Sequence, residues 1–239
     1  MKQEFASIED NWAAARALLE GLAPQRPLAV LEAGGGSHTN VGFLKDAQFT
    51  VIDISPEQIA RNPYATNAIV ADIETYKDYP QAYDFIVLND VLEHLNRPDR
   101  ALDHLLPHLA PGGFLVIGGP QPTSFKGLFT KFTPHAVHVW FYRAVLRDMN
   151  AGKPGYAPFK TFLRLCMAPG PLTARAAAAG LKPAHLGLSH PSFILARMER
   201  VSPLLKEVYL AAMALLRLLT FGLWRPDLTD MILVFRKPG

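Results

Sequence analysis

Apolar residues recur at helical spacing from Trp12 through Ala15, Leu18, Leu19 and Leu22. Ser7 with Asp10 three residues on precedes them, and Gly21 and Pro24 supply stop signals. This predicts an opening amphipathic helix. The period then changes. Leu28–Leu31 is a short apolar run that ends in Glu32 and breaks into Ala33, Gly34, Gly35 and Gly36, the mark of a buried strand entering a tight turn. Runs of the same kind follow at Phe49–Ile54, Ala68–Ala71, Tyr83–Leu88 and Gly113–Ile117. Helical spacing returns between them, at Ser55–Arg61 and at Arg97–Leu109, where Leu102, Leu105, Leu106 and Leu109 share a face. Strands buried on both faces and separated by helices predict a parallel sheet with right-handed crossovers, a Rossmann-like doubly wound α/β fold.

From residue 120 to 170 this alternation fails, because proline or glycine interrupts the chain every few residues. A long irregular insertion in a compact domain is more often a binding element than a connector, so a lid over a substrate site is expected here. Regular patterning then resumes. A helix is predicted over Leu172–Ala179, a strand over His185–Leu188, a helix over Pro203–Leu219 and a final strand over Met231–Phe235.

The length of 239 residues suits one domain over 1–239, with a core at 28–120. At 49% hydrophobic and 19% charged residues, the composition excludes a disordered chain or a coiled coil. The single cysteine, Cys166, supplies neither an intramolecular disulfide nor a multi-cysteine metal site, and the first residues lack a charged segment followed by an apolar stretch. A cytoplasmic setting and no metal are expected. Charge adds an asymmetry: residues 1–120 hold 8 Lys+Arg against 16 Asp+Glu, a balance of −8, while residues 121–239 hold 16 against 5, a balance of +11. The first half therefore repels phosphates and attracts cations, and the second would draw an anionic substrate or an anionic lipid surface.

Three glycines directly after a buried strand let the backbone approach a ligand closely, and a following helix would aim its N–H groups into the same space. Asp53 ends the second strand, where a carboxylate can accept hydrogen bonds from both ribose hydroxyls. Together they predict an adenosine site. The sixth position counted from Gly34 is Thr39, so the dinucleotide pattern G-x-G-x-x-G is incomplete. Glu32 would repel a pyrophosphate yet attract the ammonium of an amino-acid moiety. The balance favours S-adenosyl-L-methionine (SAM), which is cationic and carries no phosphate.

The segment Glu32-Ala33-Gly34-Gly35-Gly36-Ser37-His38 resembles the E/D-x-G-x-G-x-G motif of class I SAM-dependent methyltransferases, with His38 at the third family glycine. Asp53 matches the acid closing the family's second strand, and Ala71-Asp72-Ile73 matches the segment whose acid bonds the adenine amine. Tyr83–Leu95 resembles the fourth strand with its "VLEHL" continuation, and Leu109–Leu115 the "L-x-PGG-x-L" turn into the fifth. The resemblance covers residues 28–120 and points to the small-molecule branch. It implies seven strands, the last antiparallel and inserted at Met231–Phe235. It also implies a cofactor set of Glu32, Gly34, Gly35, Gly36, Asp53, Ile54, Asp72, Ile73, Asn89 and Asp90.

Methyl transfer is an in-line displacement that needs positioning and dryness more than a base. If the acceptor loses a proton, the histidines to weigh are His38, His94, His135 and His138. Within the lid, Lys126, His135, His138, Tyr142 and Arg143 form the expected acceptor contacts, a mixture suited to an anionic or amphipathic small molecule or lipid. Ordinary lid packing is the competing use of these residues. The apolar helix at 200–225 is short for a membrane span and carries Arg217, which leaves core packing, the favoured use, a homodimer contact or a peripheral membrane anchor. No nucleic-acid partner is expected, because no base-flipping tetrapeptide or RNA-binding motif is present. The sequence thus predicts a SAM-dependent methyltransferase. A SAM-binding module without turnover and a nicotinamide-dependent reductase are the alternatives.

Overall fold

The computed structural model describes residues 2–153 and 161–239. In chain order its elements are β1 (Gln3–Phe5), α1 (Ile8–Leu22), β2 (Leu28–Ala33), β3 (Ala47–Asp53), α2 (Pro56–Ile59), β4 (Ala65–Val70), β5 (Tyr83–Asn89), α3 (Pro98–Leu105) and β6 (Leu109–Pro120). They continue with α4 (Phe125–Phe132), α5 (His135–Trp140), α6 (Pro169–Ala178), β7 (Lys182–Ser189), α7 (Ser192–Val201), α8 (Pro203–Leu219) and β8 (Asp230–Arg236). One eight-stranded sheet runs β1-β7-β8-β6-β5-β2-β3-β4. β8 lies antiparallel between β6 and β7, and the other pairings are parallel. The inserted antiparallel strand agrees with expectation. The eighth strand is β1, a three-residue edge strand too short to leave a period in the sequence.

Alternation along the strands splits the core in two. In β5, Phe85 and Val87 face a layer with Ala15 and Leu19 of α1, while Ile86 and Leu88 face Leu102 and Leu105 of α3 and Leu172 and Ala176 of α6. Helix α1 starts where predicted, because the Ser7 side chain accepts the Asp10 amide at 3.0 Å.

Three expectations are corrected. The helix predicted over Arg97–Leu109 stops at Leu105 and tightens into a 3-10 turn, Leu106–His108, since Pro107 cannot continue an α-helix; Leu109 opens β6. No helix follows the glycines. Residues 34–46 form isolated turns rich in Gly, Ser, Thr and Asn, pinned to the core by Val41 and Leu44. Finally, α8 does not bury its leucines. Met213 is its one buried residue, and Leu204, Val208, Leu215, Leu218 and Leu219 lie exposed along one face that leads to Phe221 and Leu223, at 92% and 91% exposure. Hydrophobicity alone could not distinguish this face from a core face. Among the described residues no helix is long and apolar enough to cross a membrane.

The expected irregular stretch at 120–170 is largely helical where it is described: α4, α5, a π-helical turn at Phe141–Val145 and a 3-10 turn at Leu165–Met167. Residues 154–160 of that stretch lie outside the described residues. The segment is tied to the rest of the chain near its start, by the Phe125 amide to the Pro226 carbonyl at 2.9 Å, and near its middle, by the Arg197–Asp148 ion pair at 3.0 Å.

Candidate functional site

β2 has β3 on one side and β5 on the other, so the chain winds away in both directions from its carboxyl end. Open α/β sheets hold ligands at such a switch point. A crevice of about 540 Å³ lies there, lined by Gly34 and Gly36 after β2, Asp53, Ile54, Ser55 and Gln58 after β3, Ala71 to Glu74 after β4, and Asp90, Val91 and His94 to Asn96 after β5.

The glycine bend is fixed by geometry that other residues adopt with strain. Gly34 has φ +73° and donates to the Ile52 carbonyl at 2.7 Å, and a Cβ there would sit 2.7 Å from both Val91 methyls. Gly36, at φ +47°, donates to Asp53 Oδ2 at 3.1 Å, while Asp53 Oδ1 accepts the Ser55 amide at 2.9 Å. These two bonds hold the carboxylate at the crevice mouth with acceptor capacity left over. On the opposite wall Asp72 Oδ1 accepts the Glu74 amide at 2.8 Å, and Glu74 Oε1 accepts the Asn96 amide at 2.6 Å, which joins the β4 and β5 ends.

Of the ten residues expected at a cofactor, Gly34, Gly36, Asp53, Ile54, Asp72, Ile73 and Asp90 line the crevice; Glu32, Gly35 and Asn89 do not. Glu32 is 3% exposed and lies behind the bend, where Thr39 Oγ1 donates to Oε1 and Oε2 has no partner among the described residues. A Cβ on Gly35 would meet the Glu32 side chain at 2.8 Å, so this glycine serves packing. Asn89 turns to Asp90, its Nδ2 donating to Oδ2 at 2.8 Å. The sequence reading missed Ser55, Gln58, Ala71, Glu74, Val91, Leu95 and Asn96, which follow the recognised strand ends within a few residues. Extending each strand-end motif by one turn would have found them.

Burial raises the Glu32 carboxyl from 4.5 to about 7. A carboxyl with a folded-state value above its unfolded one takes up a proton on folding. Its stabilising contribution is complete below about 4.5 and is lost as pH rises through about 7. The urea midpoint of the free protein should therefore fall between pH 5 and pH 8, and Glu32→Gln should reduce that fall. Equal midpoints at both pH values in the unsubstituted protein would contradict this assignment.

Beyond Asp90 the crevice adjoins a second group of side chains at the same sheet edge. Asp230 opens β8 opposite Pro120, and Lys126 Nζ lies 3.5 Å from its Oδ1. Glu93 is 5% exposed, its Oε2 has no partner among the described residues, and burial together with Asp90 pushes it up to about 8. Asp90 is likewise raised, by burial first and then by Asp230.

Among the described residues, Lys126 is the expected acceptor residue that reaches this edge. His138 is buried in the lid, its Nε2 2.6 Å from Thr133 Oγ1 and its ring beside Phe129, and burial lowers its pKa. The His135 ring stacks edge-on against His138 at 6.1 Å. Tyr142 gives its carbonyl to the Asp148 amide, and the exposed Arg143 donates to the Ala151 carbonyl at 2.9 Å. The contacts given for these four lie within the 120–170 segment. Of the other histidines weighed, His38 is exposed on the 34–46 loop and His94 lines the crevice.

A family profile described as a methyltransferase domain matches residues 6–164. An uncharacterized protein of Synechococcus sp. is 34% identical over 122 residues, covering 45% of this chain and 29% of that protein, so the match spans under a third of the relative's length. Among solved structures, the plantazolicin methyltransferase BpumL, determined with S-adenosylhomocysteine, has a TM-score of 0.56 at 16% identity, covering 97% of this chain and 84% of its own. The cyclase SpnF has a TM-score of 0.55 at 19% identity, covering 95% and 81%. At these identities the two structures establish the fold, a scaffold that carries more than one chemistry. The profile match runs from the start of the first long helix through all four crevice walls and most of the lid, and on that span this chain belongs to the methyltransferase-domain family.

Proposed function

We propose that this chain binds SAM in the β2–β5 crevice and transfers its methyl group to a small-molecule or lipid-like acceptor held beneath residues 120–170. The observation that carries the reading is the charge of the crevice: Asp53, Asp72, Glu74 and Asp90 line it, and among the described residues no Lys or Arg does. A nicotinamide dinucleotide would bring a pyrophosphate into that field; SAM brings a sulfonium and an ammonium. In this reading Asp53 takes the ribose hydroxyls, Asp72 and Ile73 the adenine, and the Gly34–Gly36 bend the methionine end. SAM supplies the methyl group and, through its sulfonium, the leaving group. The chain's share is to hold nucleophile and methyl in line and to exclude water.

Two measurements separate this reading from its alternatives. Calorimetric titration should give binding of S-adenosylhomocysteine and none of NADH or NADPH; the reverse order would establish the reductase. Isotope-labelled SAM incubated with a cell extract should then pass label to an extractable compound. Binding without any transfer of label would leave a SAM-binding module in place of an enzyme.

A further inference from the structure

The donor reading leaves the acceptor's reacting group open, and the second group of side chains at the sheet edge bears on it. Gly119, at φ +148°, has no side chain to fill the space above it. A Cβ there would lie 3.4 Å from Glu93 Oε2 and 3.8 Å from Asp90 Oδ1, so both carboxylates border the hollow that the glycine leaves. Glu93 Oε2 is buried and has no partner among the described residues, an arrangement that costs free energy unless a donor is supplied. Asp230 stands at the same edge, where it accepts the Thr229 hydroxyl at 2.6 Å and lies 3.5 Å from Lys126 Nζ. Asp90 also lines the donor crevice, so the hollow and the donor site share a wall.

We propose that Asp90, Glu93 and Asp230 receive the acceptor's amino group at the Gly119 hollow, making the acceptor an amine that is cationic in solution, with Glu93 as its proton acceptor. This rests on the donor reading above. The ammonium gives one proton to the Glu93 carboxylate, and the freed nitrogen lone pair attacks the SAM methyl carbon. The N–C bond forms as the C–S bond breaks, its electron pair passing to sulfur, so the sulfonium becomes a neutral thioether and the product leaves as a methylated ammonium. Glu93 then returns its proton to solvent. Of the basic residues of the 120–170 segment, Arg143 donates to the Ala151 carbonyl and Lys131 to the Leu163 carbonyl, while Lys126 faces Asp230.

The test uses three probes with one eight-carbon chain, suited to the aromatic lid side chains: n-octylamine, n-octanol and n-octyl phosphate. Each is titrated into protein saturated with S-adenosylhomocysteine and assayed with labelled SAM. Octylamine should bind about tenfold more tightly than the other two and be the only one to take label. Glu93→Gln should slow transfer to octylamine about 100-fold and remove the acid limb of its pH profile, with S-adenosylhomocysteine affinity within about twofold of the unsubstituted protein. Asp90, Asp230 and Lys126 face Glu93 and His94 faces Asp90, so the limb is assigned by its loss in the variant. Asp230→Asn, at a less buried position, should weaken octylamine binding in a folded protein even if Glu93→Gln does not fold. Label on octanol or octyl phosphate, equal affinity for the three probes, or no label on octylamine while S-adenosylhomocysteine binds would overturn the proposal. Failure of S-adenosylhomocysteine to bind would instead strike the donor reading, and the proposal with it.

Discussion

Asp53→Ala is expected to lower affinity for S-adenosylhomocysteine by about 1–3 kcal/mol, roughly 5- to 150-fold, the scale of hydrogen bonds made to a charged group. The effect has two sources. The carboxylate would lose its bonds to the ribose hydroxyls, and it would also release Gly36 and Ser55, whose amides it accepts at 3.1 and 2.9 Å. Loss of the Gly36 bond loosens the bend on the other side of the adenosine. Asp53→Asn separates these contributions, because the amide oxygen can keep one backbone bond while the charge is removed. Its affinity should fall between those of the unsubstituted and alanine forms. Calorimetry on proteins of matched thermal stability reads the difference, and unchanged affinity in a folded alanine variant would contradict the ribose assignment.

Gly34→Ala should be the most damaging single methyl addition at the site. The left-handed φ of +73° costs an L-residue about 1–2 kcal/mol, and a Cβ 2.7 Å from both Val91 methyls adds about 1–3 kcal/mol of overpacking. A chain of this size loses roughly 2–4 °C in Tm per kcal/mol, so a drop of roughly 4–20 °C is expected, with weaker S-adenosylhomocysteine binding. Val91→Ala in the same chain relieves the overlap and leaves the backbone strain, so the double variant should recover part of the loss in Tm. A Gly34→Ala protein that melts with the unsubstituted one would show that the bend does not need its glycine.

The parts of this fold that could be read from sequence are those in which local pattern and tertiary environment agree. β2, β3, β5 and β6 are buried on both faces, so each appears as a short apolar run. Helix α1 announces itself through Ser7 and an apolar period of one face. The glycine bend and Asp53 were legible because a close backbone approach and a strand-end acid each demand a particular residue type. What escaped depends on neighbours the sequence does not display. The loop at 34–46 carries no helix because its polar and glycine residues bond locally, although a glycine bend ordinarily leads into one. The exposed stripe of α8 has the composition of a core helix, and only the placement of α7 and the sheet reveals that its outer face is left uncovered by the described residues.

Glu32 illustrates the same limit within the site. Its position two residues before the first glycine suggested a role at the ligand, direct or through water, and β2 alternation and Thr39 hold its side chain in the interior. The Asp90–Glu93–Asp230 group escaped for a topological reason. Asp230 reaches Asp90 because β8 inserts antiparallel beside β6, in a register that places it opposite Pro120. Spacing along the chain cannot supply that register.

The central claim is that the acidic crevice between β2 and β5 takes a cationic, phosphate-free adenosyl donor. Its most direct test is a crystal structure of the protein grown with S-adenosylhomocysteine. The predicted result is ribose hydroxyls on Asp53, adenine between Ile54 and Ile73, and the homocysteine chain over Gly34. Density for the nucleoside at any other place on the sheet, or a crevice closed by its own side chains, would contradict the claim.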